Sequence, residues 1–361
     1  MSVGRPSETV EGIVPPPPSD VRLAIVGAGS LGQAFAGALA GAGGAVTVLA
    51  TPRTAEQLLA AGRIRLHGAI ELEAPVTAGA AEPGVVALTT DPARLPGGSG
   101  LIFTPKGHNL PEAIAQVRAA WPGEGDDAAW VCGIQNGIVK DDLLAKAFGP
   151  ERVVGAVTIL GGQREPDGLV AVTSRGATFL GEFSDEPSAR VEAAAACLNA
   201  AGIPTQAVTN IRTVLWSKMC NAAGLFAVTC LSRVTSNRFG HYGELVRAYM
   251  GLIRETAAVA AAQGIPMGDY PGFPIKSYLS RSDDEMVAYF AERAAPFTPT
   301  PGAPESRTSM LQDLLAGRPL EVDAIYGDVV ERGQRVGVPV PRLTLARDLV
   351  RAIDPGRRPA G

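Results

Sequence analysis

Histidine is scarce, at three in 361 residues, and the four cysteines, Cys132, Cys197, Cys220 and Cys230, stand apart without CxxC spacing. Donors so few and so scattered offer no zinc set, and the cysteines read as buried thiols of a reducing cytoplasm. Charge is thin as well, at 19% of residues, with a formal net charge of -4. That balance excludes a basic surface for nucleic acid or anionic membrane and leaves a small molecule as the expected partner. One absence imitates a membrane span: Leu23 to Ala50 runs 28 residues without a charge. Seven glycines in that run are poor helix formers, and a Pro-rich leader precedes it where a signal peptide would be basic. The run divides instead into strand, turn, helix and strand.

What is present is core-forming. Hydrophobic residues make up 46% of a chain long enough for two folded units. Residues 1 to 20, with Pro15 to Pro18, have little to bury and are expected to be a disordered leader. From Val21, short apolar strands alternate with amphipathic helices: Val21–Val26, Gln33–Ala42, Ala45–Ala50, Ala55–Ala61, Leu101–Pro105, Leu110–Ala120, Ala129–Gly133 and Val153–Leu160. This α/β rhythm predicts a parallel, Rossmann-type sheet. Leu169–Thr173 and Ala177–Phe183 flank a Ser-Arg-Gly turn and predict a hairpin, followed by a helix over Ser188–Ala201. The first domain thus spans residues 21–208. Beyond it, Ile211–Thr229, Tyr242–Gln263, Asp283–Ala294, Ser309–Leu315, Asp323–Val336 and Thr344–Ile353 all read as helices, so residues 209–354 predict an all-α domain. The Pro/Thr-rich segment 296–304 reads as a surface loop and 355–361 as a disordered tail.

Gly27-Ala28-Gly29-Ser30-Leu31-Gly32 follows a strand and opens a helix, the context a dinucleotide fingerprint requires. The first glycine allows a tight turn, the second lets the backbone approach a pyrophosphate, and the third packs helix on strand. NAD enzymes place an acid at the end of the second strand; here Val48-Leu49-Ala50 runs into Thr51-Pro52-Arg53. A hydroxyl and a guanidinium in place of a carboxylate favour NADP. Lys106 and Gln135-Asn136-Gly137 each end a strand at the carboxyl edge of the sheet, where α/β ligands bind; an exposed loop lysine and a common Asn-Gly turn are the plainer readings.

Lys218 is the only charge between Val214 and Ser232. An ammonium in an apolar helix either snorkels to water or has work to do. Carbonyl reduction supplies such work, because hydride addition leaves an alkoxide that a positioned ammonium stabilises and protonates. A partner carboxylate is sought in Leu320-Glu321-Val322-Asp323, although acids in a first helical turn also serve as dipole partners.

With these motifs in order, Gly27 to Gly32, Lys106, Gln135-Asn136-Gly137, Trp216-Ser217-Lys218 and Ser309 to Asp313 through Glu321, the chain resembles ketopantoate reductases (2-dehydropantoate 2-reductases) over residues 21–353. Ser309 and Glu321 sit twelve apart, as in that family. The resemblance implies a helical domain like that of 6-phosphogluconate dehydrogenase, and NADPH-dependent reduction of a 2-oxoacid, 2-dehydropantoate, for pantothenate biosynthesis. It implies Lys218 as general acid, Glu321 as orienter of the lysine or the substrate hydroxyl, Ser309 and Asn136 as substrate ligands, and Asn136 and Lys106 beside the cofactor. A cytoplasmic homodimer is implied too.

The sequence departs from the family where it matters for specificity. The family usually carries asparagines four and eight residues after the lysine; here stand Ala222 and Phe226, with Asn221 one residue early and so rotated by about 100°. Asn221 and Phe226 are therefore the candidate wall residues. Thr51 likewise replaces the family's usual arginine, with Arg53 two positions on. Loss of two polar contacts points to a substrate without ketopantoate's distal hydroxyl, or to a larger and more apolar one. A related reductase of a specialised pathway is the runner-up reading, and a non-catalytic NADP-binding sensor is the third.

Overall fold

The computed structural model describes residues 21–121, 128–297 and 305–357, so the expected leader and most of the 296–304 loop lie outside the described residues. The first half is built on a curled, mostly parallel sheet. Its strands are β1 (Leu23–Val26), β2 (Val46–Leu49), β3 (Arg63–Gly68), β4 (Leu72–Thr77), β5 (Val86–Thr89), β6 (Gly100–Phe103), β7 (Trp130–Gly133), β8 (Val154–Arg164), β9 (Val170–Glu182) and β10 (Thr205–Ala207). The order is β10-β9-β3-β4-β5-β2-β1-β6-β7, with β8 paired to β9. Within this sheet, among the described residues, only β3–β4 and β8–β9 are antiparallel. Strand β1 lies between β2 and β6, so the order reverses beside it and opens a crevice at its carboxyl end.

Helices α1 (Ser30–Gly41), α2 (Pro52–Ala61), α3 (Leu110–Ala120), α4 (Val139–Phe148) and α5 (Ala189–Ala200) flank this sheet. The strands β1, β2, β5, β6 and β7 are buried at every position, which is why they appear as continuous apolar runs. Helix α2 begins where its sequence dictates: Thr51 caps the N–H of Thr54, Pro52 takes the first turn, and Gly62 closes it at φ 70°.

The second half is helical apart from one short antiparallel pair, Asp269–Tyr270 with Phe273–Pro274, which the all-α expectation left out: α6 (Ile211–Ser232), α7 (Gly243–Ala261), α8 (Ile275–Leu279), α9 (Asp283–Ala294), α10 (Ser309–Leu315), a π-helical turn over Asp323–Gly327, α11 (Asp328–Arg335) and α12 (Pro341–Ile353). Helix α6 is its axle. It is apolar all round, and its flanks pack into two separate clusters, one with α10 to α12 and one with α7 to α9. Length and hydropathy alone would let α6 cross a membrane, yet 78% of its most apolar stretch is buried inside the protein. The uncharged run from Leu23 resolves as β1, turn, α1 and β2.

Three expectations need correction. Ser174-Arg175-Gly176 is no turn: it lies inside the 13-residue β9, whose partner β8 absorbs the irregularity in register shifts between Thr158 and Leu160 and between Gly161 and Gly162. Strands β3 to β5 and helix α4 were not anticipated; β3 and β4 alternate buried with exposed positions and so lack a continuous apolar run. The tail is ordered through Pro355–Arg357, where Arg357 pairs with Asp323. All four cysteines are buried free thiols.

Candidate active site

The fingerprint loop sits at the crevice beside β1. Gly27 adopts φ 104° and a side chain there would press on Thr104 and Pro105, while a Cβ on Gly32 would stand 1.9 Å from the carbonyl oxygen of Gly27. Gly29 is different: it is exposed, and nothing lies within 4 Å of its Cβ position. Two of the three glycines are thus demanded by the fold itself, and the remaining one borders open space at the N-terminus of α1, together with Ser30. This is the cradle that a pyrophosphate requires. Ala28 is buried and Leu31 partly so, each against the first core. The Oγ1 of Thr104 braces the turn by donating to Gly27 O at 2.7 Å. Thr51 and Arg53 are exposed at the start of α2, at the carboxyl end of β2, and Arg53 makes no ion pair among the described residues.

Beside β8 and the loop after β7, α6 carries Lys218. Its Nζ donates to the carbonyl oxygen of Thr158 on β8 at 2.9 Å. Burial pulls this ammonium down to about 8; nearby Lys140 acts in the same direction and Glu321 opposes them. Lys218 lines one small cleft with Gln135, Asn136 and Gly137 of the first domain, and with Leu215, Met219 and Ala222 of its own helix.

The seam between the halves is closed by contacts of the predicted residues. Asn136 Nδ2 donates to Ser309 Oγ at 3.5 Å, a long bond. Lys106 pairs with the buried Asp313 at 2.7 Å, which also holds Arg318 at 2.8 Å. Glu321, 6% exposed, accepts from the N–H of Gly107 at 2.7 Å. Asp323 faces outward, paired with Arg351 and Arg357. Between the two carboxylates left open by the sequence, only Glu321 is turned toward the cleft loops. It leads into the π-helical turn, an irregularity that often accompanies sites.

Not every candidate reaches the cleft. Asn221 accepts from the hydroxyl of Tyr249 at 2.7 Å, on the α7 side of α6, because one residue of offset on a helix turns a side chain to another face. Phe226 is 9% exposed, packs in the cluster that contains Met310, Leu311 and Tyr326, and does not line the Lys218 cleft, although Met219 and Ala222 of the same cluster do. Glu321 hydrogen-bonds the Gly107 amide and not the lysine. Sequence reasoning missed Thr158, Asp313 and Lys140. Thr158 acts through a main-chain oxygen, which no side-chain pattern reveals, and Lys140-Asp141 reads in sequence as ordinary charge at a helix start.

An open glycine turn at the carboxyl edge of a parallel sheet, and a half-buried lysine on a helix of the second half, are features that suit an oxidoreductase. Comparison with known proteins agrees. Residues 23–185 match the family model for ketopantoate reductase PanE/ApbA, and residues 210–354 match the model for its C-terminal part. The chain belongs to the ketopantoate reductase family, whose members are oxidoreductases acting on CH–OH groups. A 2-dehydropantoate 2-reductase of Halobacterium salinarum is 27% identical over 331 residues, 92% of this chain and 98% of that protein. The crystal structure of a PanE/ApbA family ketopantoate reductase from Ralstonia eutropha superposes with TM-score 0.70 at 25% identity, over 92% of this chain and 98% of the other. D-mandelate dehydrogenase in ternary complex with NADH and anilino(oxo)acetate shares the fold, with TM-score 0.71 at 21% identity, over 92% and 98% of the two chains.

Proposed function

We propose that this protein reduces a 2-oxoacid to the 2-hydroxyacid with NADPH, in the manner of a ketopantoate reductase. Residues 21–208 would hold the cofactor and residues 209–354 the substrate and the proton donor. The observation that carries the reading is the shared cleft of Lys218 and Asn136, with Asn136 bonded onward to Ser309. A nicotinamide dinucleotide fits the residues present: the open cradle at Gly29 and Ser30 takes a pyrophosphate, and Thr51 and Arg53, with no acid among them, suit a 2′-phosphate. When bound, it supplies the hydride.

The chain's own residues do the rest. The Lys218 ammonium, tethered by Thr158 O, faces the carbonyl oxygen, stabilises the negative charge that develops there and delivers the proton. Its lowered proton affinity keeps it mostly protonated at pH 7 yet a stronger acid than a solvated lysine. Ser309 and Asn136 offer neutral donors to the substrate carboxylate. Glu321 counterbalances the lysine charge at a distance and fixes the Gly107 loop, while the seam contacts exclude water from the reacting centre.

One observation favours a substrate other than ketopantoate. Ala222, one turn after Lys218, is on the cleft wall beside Met219 and Leu215, and the asparagine of the same helix, Asn221, is turned away to Tyr249. An apolar wall there would accept an aliphatic or aromatic 2-oxoacid and give no partner to a distal hydroxyl. The test is NADPH oxidation at 340 nm with ketopantoate beside longer, branched and aromatic 2-oxoacids, and NADH as control. Preference for ketopantoate assigns pantoate formation; preference for an apolar 2-oxoacid keeps the mechanism and moves the substrate. Tight NADPH binding with no turnover on any of them would favour a non-catalytic sensor. The same reading carries a cytoplasmic homodimer, which sedimentation showing only monomer would remove.

A further inference from the structure

Glu321 stands in an irregular stretch, residues 318–321, between α10 and the π-helical turn, so no helix of its own fixes its direction. The support comes from the far end of the chain. Asp354, at the C-terminal end of α12 and 4% exposed, accepts from the main-chain N–H of Leu320 at 3.0 Å and from that of Gly356 at 3.0 Å, both at Oδ1. One carboxylate oxygen thus ties the residue before Glu321 to the last described turn, Pro355–Arg357. That turn lies directly on Pro319: a Cβ on Gly356 would stand 2.8 Å from Pro319 Cβ and 3.1 Å from its Cα. Two residues beyond Glu321, Asp323 pairs with Arg351 of α12 and with Arg357. An acid at a helix C-terminus is opposed by the helix dipole, and a buried carboxylate is costly unless strong donors fill it. Capping α12 therefore gives no reason for an aspartate at 354, whereas holding the Leu320 amide does.

We infer that Asp354 is a positioning residue for the reaction: with the Pro355–Arg357 turn it forms a strap that holds residues 319–323 in the register that brings Glu321 Oε1 to the N–H of Gly107. The inference rests on the reading of Glu321 as part of the site. The geometry is a short relay. Asp354 fixes the Leu320 amide, the next residue is Glu321, and its carboxylate accepts from Gly107 across the seam at 2.7 Å. On the other side of Glu321 the pairs of Asp323 stop the same stretch from rotating. A glutamate side chain has several rotatable bonds, so a backbone that drifts by even an ångström lets it leave the Gly107 amide for water, and the loop after β6 loses its anchor to the second half.

The first readout needs no substrate: hydrogen exchange at the Gly107 amide of the full chain, with the amides of β1 as the internal control. In Asp354→Ala, exchange at Gly107 is expected to speed up about tenfold, the factor that one lost hydrogen bond carries, while β1 keeps its rate. Asp354→Asn, which keeps an oxygen for both N–H groups, is expected to restore the wild-type rate. Turnover then follows in a double-mutant cycle: Asp354→Ala should lower kcat about tenfold in the wild-type background and not at all in a Glu321→Ala background. An unchanged Gly107 rate in folded Asp354→Ala overturns the inference, as does equal acceleration in β1, failure of the asparagine to rescue, or an undiminished loss of kcat in the Glu321→Ala background. If Asp354→Ala loses its melting transition, Gly356→Val lifts the strap off Pro319 from an exposed position and carries the same test. Full turnover of Glu321→Ala would instead remove the glutamate from the reaction, and exchange at Gly107 would still decide whether the strap holds it.

Discussion

The main-chain N–H of Gly107 donates to Oε1 of Glu321 at 2.7 Å, joining the loop after β6 to the turn that leads into the π-helical segment of the other domain. The glutamate is thereby fixed by backbone and not by the lysine whose charge it balances. Lys218 takes its own tether from Thr158 O on β8. Lys218 and Glu321 are thus held by separate main-chain contacts.

Lys218→Ala is expected to lower turnover by about two to four orders of magnitude, the range for loss of a general acid. NADPH affinity, followed by fluorescence titration, should stay within a few-fold of wild type. Turnover within a few-fold of wild type would exclude the lysine from proton transfer.

The pH profile follows from the same group. With Lys218 as the proposed acid, kcat/KM should be level near pH 7 and fall about tenfold per unit above a midpoint near 8. A rate that rises through pH 8 to 10 would mean that a base, not an acid, limits the reaction.

Two glycines of the fingerprint should behave oppositely. Gly29→Val has open space and an ordinary extended backbone, φ -71°, so the melting temperature without cofactor should not change while NADPH affinity falls at least about tenfold. Gly32→Ala drives a Cβ to 1.9 Å from Gly27 O and should lower the melting temperature itself. Equal melting losses in both variants would deny Gly29 a role in binding.

Restoring asparagines on α6 should separate cleft from core. Ala222→Asn is expected to shift kcat/KM toward hydroxylated 2-oxoacids, read as a ratio against an apolar 2-oxoacid. Phe226→Asn removes a core aromatic and buries an amide, and is expected to destabilise by about 3 kcal/mol or more with no such gain. A specificity shift from Phe226→Asn in a fully stable protein would place that side chain in the cleft after all.

Arg53→Ala should raise the Kd for NADPH more than for NADH if the guanidinium meets the 2′-phosphate. Parallel changes for both cofactors would leave Thr51 and the backbone as the ribose contacts.

By itself the sequence determined the parts whose physics is local. Buried parallel strands must be continuous apolar runs, and Gly27 to Gly32 must turn tightly between strand and helix, so β1, β2, β6, β7 and the cradle were legible. Most of the helices announced themselves by period, as α9 did over Asp283–Ala294, while its Ser282–Glu285 capping box came with the structure. The resemblance added Ser309, chose Glu321 over Asp323, and gave Lys218 and Asn136 their expected roles. Tertiary structure alone decided the rest, because the deciding partners are far away in the chain. Long-range pairing with β8 made Ser174-Arg175-Gly176 strand and not turn, packing against α7 turned Asn221 away, and the apolar cluster took Phe226. The burial of Lys140, which gives an ordinary-looking Lys-Asp dipeptide a place behind the cleft, is visible only once α4 is folded against the sheet. Desolvation belongs to a position in space, and no residue type carries it in sequence.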